Sequence, residues 1–257
     1  QINEIPKWNG LKWSCSPDNN SLDKIRCQAG EVIRWDGEKW ACHSRFQISE
    51  TENIITTNAS SVRSAIAIDL DKDGDIDVLS ASENDNKIAW YENNGDQVFS
   101  THIISNQAQK ARYVLAIDLD HDGDLDVLSA SYADHKISWY RNNGSQGFEE
   151  TLITNSALGA THLDVTDLDL DGDLDIIVAS MNDKKINWYK NNGQQEFQII
   201  NISDSIDGAS AIKALDFDQD GDTDIIASSY ADDHIRWYEN DGTQVFTSHT
   251  VAAPVNY

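Results

Sequence analysis

Asp69-Leu70-Asp71-Lys72-Asp73-Gly74-Asp75-Ile76-Asp77 is followed by three near-copies of itself, which begin at Asp118, Asp167 and Asp216. The interval is 49 residues each time. The chain from about residue 58 to 252 is therefore one unit written four times. Working outward from the acidic stretch, each unit carries four strand signals. Residues 64–68 form a short run of small and apolar side chains that ends at the acidic stretch. Residues 78–82 leave it as a near-continuous apolar run, the mark of a strand covered on both faces. Residues 87–91 alternate, with Ile88 and Trp90 on one face, and end at Asn93-Asn94-Gly95, a hairpin-turn signal. Residues 99–104 close the unit. Four antiparallel strands in a unit too small to bury its own faces predict an all-β array of propeller-type blades. The blades are expected over about 58–105, 106–154, 155–203 and 204–252.

Charge points the same way. The net charge is −25, and the four acidic stretches hold twenty of the 44 acidic residues. A binder of nucleic-acid phosphates needs the opposite sign, so nucleic acid is excluded as a partner. No run approaches the ~18 apolar residues of a membrane span. No signal peptide is visible at Gln1, although an exported chain that has lost its leader reads the same way.

Each unit has one Trp, at Trp90, Trp139, Trp188 and Trp237, followed by Tyr91, Tyr140, Tyr189 and Tyr238. A Trp at a fixed strand position reads as a packing wedge between neighbouring sheets. The Tyr points to the opposite face, where binding is open to it. Ile54-Ile55 stands 14 residues before Asp69, as Ile103-Ile104 stands before Asp118, so residues 46–56 read as a spare fourth strand. Three arrangements follow: a four-bladed ring with a displaced strand, a piece of a larger ring, or an open array whose spare strand completes a neighbouring molecule.

The first 45 residues contain a different repeat: residues 7–15 return as residues 34–42, with Trp8, Trp13, Trp35 and Trp40 flanking Asn9-Gly10 and Asp36-Gly37. These read as two hairpins. All three cysteines lie here. Cys27 and Cys42 stand eight before and seven after Trp35, which brings them opposite each other and favours a Cys27–Cys42 disulfide. The same spacing puts the partner of Cys15 upstream of Gln1, so the chain is expected to be a segment of a longer polypeptide. A free Cys15, an intermolecular bridge, or a Cys15–Cys27 pair are the alternatives. A disulfide implies an oxidising, extracellular compartment. The domain expectation is thus 1–45 for the hairpin module and 46–257 for the blades.

Two resemblances accompany these readings. The D-x-D-x-D-G-x-x-D stretch followed by K-I-x-W-Y-x-N-N-G resembles the FG-GAP/VCBS-type repeats of integrin-like calcium-binding β-propellers. The W-x-G-x-x-W-x-C segments resemble modules next to fibre regions of bacterial surface proteins, which implies a spacer role.

Five aspartates in nine residues repel at roughly a kcal/mol per close pair, a cost that a hard divalent cation removes. Ca²⁺ takes six to eight oxygens in a flexible arrangement. The family resemblance implies one Ca²⁺ per blade, held by side chains at loop positions one, three, five and nine and the backbone carbonyl at seven. In the first loop these are Asp69, Asp71, Asp73 and Asp77, with Asp75. In the second they are Asp118, Asp120, Asp122 and Asp126, with Asp124. In the third they are Asp167, Asp169, Asp171 and Asp175, with Asp173, and in the fourth Asp216, Asp218, Asp220 and Asp224, with Asp222. Four Ca²⁺ would bring the formal charge from −25 to −17. An EF-hand needs Glu at loop position twelve, but Ser80, Ser129, Val178 and Ala227 stand there.

No Ser/His/Asp or Cys/His set can be assembled, so the sequence reads as a non-enzyme. The expectation is an extracellular, calcium-stabilised structural or adhesive propeller whose partners are copies of itself, another surface protein or a glycan. A lectin-like propeller using exposed Tyr and Asn residues, or the non-catalytic part of a secreted enzyme, is the alternative. The variable turns near residues 83–86, 132–135, 181–184 and 230–233 are where recognition is expected.

Overall fold

The computed structural model describes residues 4–8, 13–17, 31–35, 40–44 and 53–252. The chain divides into two compact units, residues 1–54 and 55–257.

In the first unit β1 (Glu4–Trp8) pairs with β2 (Trp13–Pro17), and β3 (Glu31–Trp35) with β4 (Trp40–Ser44). Both expected hairpins form, with Trp8 opposite Trp13 and Trp35 opposite Trp40. The register puts Ile33, not Cys27, opposite Cys42. Cys27 precedes β3, so the expected Cys27–Cys42 pairing falls on a residue beyond this register. Cys42 is disulfide-bonded, and Cys27 lies outside the described residues.

The second unit is all-β among its described residues. Blade 1 comprises β5 (Val62–Ile68), β6 (Asp77–Ser82), β7 (Lys87–Asn93) and β8 (Phe99–Ser105). Blade 2 comprises β9 (Ala111–Ile117), β10 (Asp126–Ser131), β11 (Lys136–Asn142) and β12 (Phe148–Thr154). Blade 3 comprises β13 (Ala160–Thr166), β14 (Asp175–Ser180), β15 (Lys185–Asn191) and β16 (Phe197–Ser203). Blade 4 comprises β17 (Ala209–Leu215), β18 (Asp224–Ser229), β19 (Ile235–Asn240) and β20 (Phe246–Ala252). Each blade is one four-stranded antiparallel sheet in sequence order. The second strands are buried along nearly their whole length, as their continuous apolar runs require.

Blades stack through opposite faces. Trp90, Ile88 and Leu79 of blade 1 pack with Ala111, Val114 and Tyr140 of blade 2. Trp139 meets Tyr189 in the next core, and Trp188 meets Tyr238 in the third. The Trp is thus a packing wedge, as expected, but so is the Tyr at Tyr140, Tyr189 and Tyr238, and Tyr91 is buried as well. The binding face expected around these tyrosines does not exist. Their hydroxyls are satisfied locally, as in the 3.2 Å bond from Tyr238 to Ser203 Oγ of the preceding blade.

The inner strands touch in the order β5, β9, β13, β17, and no contact of comparable extent joins β17 back to β5. Exposure marks the end of the stack. Leu70, Leu119 and Leu168 are buried, whereas their blade 4 counterpart Phe217 is 44% exposed. Ile88, Ile137 and Ile186 are fully buried, but Ile235 is 42% exposed. The Trp face of blade 4 is the one such face left without a covering blade among the described residues.

The spare strand expected over 46–56 is not found in its described part, since residues 53–56 carry no strand; 46–52 lie outside the described residues. The segment keeps the end of a fourth strand in another sense. Asn58 N donates to Thr56 Oγ1, as Gln107 N does to Ser105 Oγ and Ser156 N to Thr154 Oγ1 one and two repeats on.

Where the inner strands converge, the Tyr113 and His162 rings lie 3.8 Å apart. Burial pushes the His162 imidazole down to about 4, with Asp164 opposing and Lys213 assisting. An unfolded chain takes that proton near pH 6.5 and the fold only near 4, so this group costs stability progressively as pH falls between those values. The loss reaches up to about 3 kcal/mol. Urea unfolding of calcium-loaded protein at pH 7 and 4.5 checks this. His162→Gln should lose less stability than wild type over that interval, and equal losses would count against the assignment.

Candidate metal centre

Each acidic loop joins the first and second strands of its blade and is wound by its own carboxylates. In blade 1, Asp69 Oδ2 accepts from Gly74 N at 3.1 Å, Asp71 Oδ1 from Asp73 N at 3.3 Å, and Asp73 Oδ1 from Asp75 N at 2.8 Å. Gly74 has φ near +99°, and a Cβ there would meet nothing, so the glycine is needed for its backbone conformation and not for space. The same pattern recurs at Gly123, Gly172 and Gly221. Position four, Lys72, His121, Leu170 or Gln219, also takes positive φ.

Position nine is the anchor. Asp77, Asp126, Asp175 and Asp224 are each fully buried. One oxygen accepts from the second loop residue, Leu70 N, Leu119 N, Leu168 N or Phe217 N. The other accepts, at 2.7–2.8 Å, from the amide of Asn93, Asn142, Asn191 or Asn240 at the end of the third strand. The carboxylate thus ties the acidic loop to the outer hairpin of the same blade. Burial pushes the Asp126 and Asp175 carboxyls up to about 6, so holding them ionised at neutral pH costs free energy that a bound cation offsets.

Carboxylate oxygens of Asp69, Asp71 and Asp77 lie within 4.8 Å of one another, as do those of Asp167, Asp169 and Asp175 and of Asp216, Asp218 and Asp224. In the second loop the trio is Asp118, Asp120 and Asp122. Of the side chains expected as ligands, Asp73, Asp171, Asp220 and Asp126 stand outside these trios, though within their loops. Position seven behaves differently from the rest. The Asp75, Asp124, Asp173 and Asp222 carboxylates lie against Gly95, Gly144, Gly193 and Gly242 of the outer hairpins, where a Cβ would come within 2.7 Å. Their side chains point away from the loop centre, consistent with a backbone role. Asp69 Oδ1, Asp118 Oδ1 and Asp169 Oδ1 are buried without a hydrogen-bond partner. All-oxygen trios with orphaned carboxylate oxygens fit a hard cation such as Ca²⁺.

The sequence reading missed that the loops are not equivalent. At one position of the third strand the four blades carry Glu92, Arg141, Lys190 and Glu239. Arg141 reaches Asp120 at 2.7 Å and Asp122 at 3.4 Å, and Lys190 pairs with Asp169 and Asp171. Blades 1 and 4 have instead an added carboxylate, paired with His102 and His249 at 2.6 Å. Burial, then Asp73, Asp77 and Glu92, raise the Asp71 carboxyl, against a lowering hydrogen bond from Asp73 N. Aligning the repeats by register was the signal that could have found this. Calcium titration should therefore resolve two classes of site, tighter in blades 1 and 4. Arg141→Gln should tighten its site by roughly threefold, a modest effect because the guanidinium is half exposed. Four indistinguishable sites, unmoved by that change, would contradict the charge argument.

A family model for the FG-GAP-like repeat matches residues 69–129, 118–178 and 167–227, more than half of the sequence. The chain belongs to the FG-GAP-like repeat family. No curated protein matches this FG-GAP-like repeat chain. Among solved structures it is similar to an Agrocybe aegerita lectin described as recognising non-reducing terminal N-acetylglucosamine, at 18% identity and a TM-score of 0.54 over 89% of this chain. It is also similar to BBS1N in complex with ARL6DN, in lead-soaked and mercury-soaked crystals, at 16% and 15% identity and a TM-score of 0.53 over 80% of this chain. At these identities the likeness carries the fold. The FG-GAP-like repeat chain spans about 62–63% of the length of those structures. Among the described residues no helix is long and apolar enough to cross a membrane.

Proposed function

We propose that this FG-GAP-like repeat protein is an extracellular, calcium-stabilised propeller with a structural or adhesive role and no catalysis of its own. The observation that carries it is the buried position-nine carboxylate, which ties each acidic loop to the outer hairpin of its blade four times over. A cation at the loop therefore braces all four strands of a blade, a scaffolding use. Extracellular Ca²⁺ at ~1 mM matches the affinity range of such modules, ~10⁻⁴–10⁻³ M.

The adhesive part of the reading rests on the uncovered face of blade 4, formed by Phe217, Ile235 and Trp237. The occupant is a second copy of the chain, because the same face is covered three times within the chain by a blade of the same sequence. This route of assembly differs from strand addition through residues 46–56. Sedimentation in 1 mM CaCl₂ should show concentration-dependent self-association that Phe217→Glu with Ile235→Glu abolishes. A monomer at all concentrations, for wild type and variant alike, would refute self-assembly and leave the calcium reading standing.

Carbohydrate binding is the second reading, favoured by the lectin that shares the fold. The surface first expected for it, on Tyr91 and its equivalents, is buried, so a sugar would have to bind elsewhere.

A further inference from the structure

The acidic loops occupy one end of the inner strands, where Ile68 pairs with Asp77; the opposite end, where Val62 pairs with Ser82, is a different surface. Here all four blades contribute to a single cavity of about 330 Å³, within the size range of small-molecule sites. Its lining includes Arg63 from blade 1, Arg112 and Tyr113 from blade 2, Thr161 and His162 from blade 3, and Ser210 from blade 4. The repeat breaks down at these positions. Arg63 and Arg112 become Thr161 and Ser210 at the same place in the unit, and Ser64, Tyr113, His162 and Ala211 occupy the next. Along the acidic loops, by contrast, all twenty aspartates are kept. The variable turn expected as a recognition region contributes to the same place: Glu83 and Tyr132 stand at its start.

The chemistry of the cavity is unlike the rest of the molecule. In a chain of net charge −25, two guanidinium groups converge on the one buried carboxylate of Glu83. Arg63 Nε pairs with one oxygen, and Arg112 Nη2 with the other at 3.2 Å. Glu83 thus holds both arginines in place while neutralising one of the two charges. The Arg112 guanidinium also lies 4.8 Å from the Tyr132 ring centroid, which fixes its plane. Two buried donor or acceptor atoms are left without a partner among the described residues, Arg112 Nε and His162 Nδ1. Asp164 faces His162 and Tyr113, but Lys213 pairs with it at 3.0 Å. The remaining uncompensated charge is therefore positive and sits on the arginine pair, beside the flat Tyr113–His162 pair. A guanidinium fork meets a carboxylate with two parallel hydrogen bonds, a match that fixes both distance and plane.

We propose that this axial cavity binds a small carboxylate-bearing ligand, with the carboxylate on Arg112 and Arg63 and the body of the ligand against Tyr113 and His162. The site is independent of calcium and lies at the end of the propeller away from the metal loops. Both sugar acids and simple aliphatic acids have the required group, so the test carries both.

The experiment is isothermal titration of the full chain, saturated with calcium, with D-glucuronate, propionate and D-glucose. At least one acid should bind with a dissociation constant of about 1 mM or tighter, and glucose at least about tenfold more weakly. Binding of glucuronate alone identifies a sugar acid; comparable binding of propionate identifies the carboxylate alone as sufficient. Arg112→Ala should weaken binding by about tenfold or more. Arg63→Ala, on a half-exposed side chain, should weaken it severalfold while leaving the thermal melt unchanged, and it decides the matter if Arg112→Ala does not fold. The proposal is overturned if neither acid binds at about 10 mM, if glucose binds as well as the acids, or if Arg63→Ala binds them as wild type does. The last result would place the carboxylate on calcium in the acidic loops.

Discussion

Chelation of calcium is expected to lower the melting temperature of the blade unit by roughly 5–20 °C. A ligand that binds only the folded state stabilises it by RT ln(1 + [L]/Kd). At ~1 mM Ca²⁺ and dissociation constants of ~10⁻⁴–10⁻³ M, that is about 0.4–1.4 kcal/mol for each site. Four sites sum to about 2–6 kcal/mol, and in a unit of this size one kcal/mol moves the midpoint by roughly 2–4 °C. The structure adds a reason for the effect to be cooperative. Asp77, Asp126, Asp175 and Asp224 are fully buried, and each joins a loop to a hairpin, so a loop that loosens without metal loosens the whole blade. Differential scanning calorimetry with EDTA, then with excess Ca²⁺ or Mg²⁺, measures it. Recovery with Ca²⁺ but not Mg²⁺ is the expected outcome, because Mg²⁺ needs a stricter octahedron and retains its waters. An unchanged melt in EDTA would refute the structural role.

The four-fold period made the blades legible because a 49-residue unit that cannot cover its own faces has to stack. The acidic loops were legible because aspartate at alternate positions of a tight turn has little other chemical use. What lay beyond the sequence was set by contacts between strands far apart in the chain. Arg141 stands 21 residues after Asp120, and only the pairing of β10 with β11 brings them together. Alternation with Trp on the third strand predicts a free face for the Tyr; for Tyr140, Tyr189 and Tyr238 that face is the interface with the preceding blade. Residues 46–56 look like a fourth strand because they keep the Ile-Ile and Thr56 of that strand, yet the described part, residues 53–56, carries no strand. The residue opposite Cys42 in the hairpin is Ile33, set by the turn between Trp35 and Trp40. In each case local pattern gave the residue type and the sheet register gave its neighbour.

Replacing the same tryptophan in two blades distinguishes an open stack from a closed ring. Trp188 is fully buried between blades 3 and 4, in the core that includes Ile177, Ile186, Ile212 and Tyr238. Truncation to Ala removes a large aromatic from a site whose neighbours belong to two sheets and cannot collapse freely. Such changes cost about 3–5 kcal/mol, equivalent to roughly 6–20 °C here. Stability in a stacked array is a sum of unit and interface terms, so Trp188→Ala should also uncouple blade 4 and split the melt into two steps. Trp237 holds the equivalent position but is only partly buried, touching Phe217 and His249 at ring distances of 5.1 and 4.7 Å. With no blade beyond it among the described residues, Trp237→Ala forfeits only part of the burial, about 1 kcal/mol, and the melt should stay in one step. Its larger effect should fall on self-association, since Trp237 lies in the face proposed to receive the next copy. If Trp237→Ala destabilised a dilute monomer as much as Trp188→Ala, the face would have to be covered within the chain, and the four blades would close on themselves.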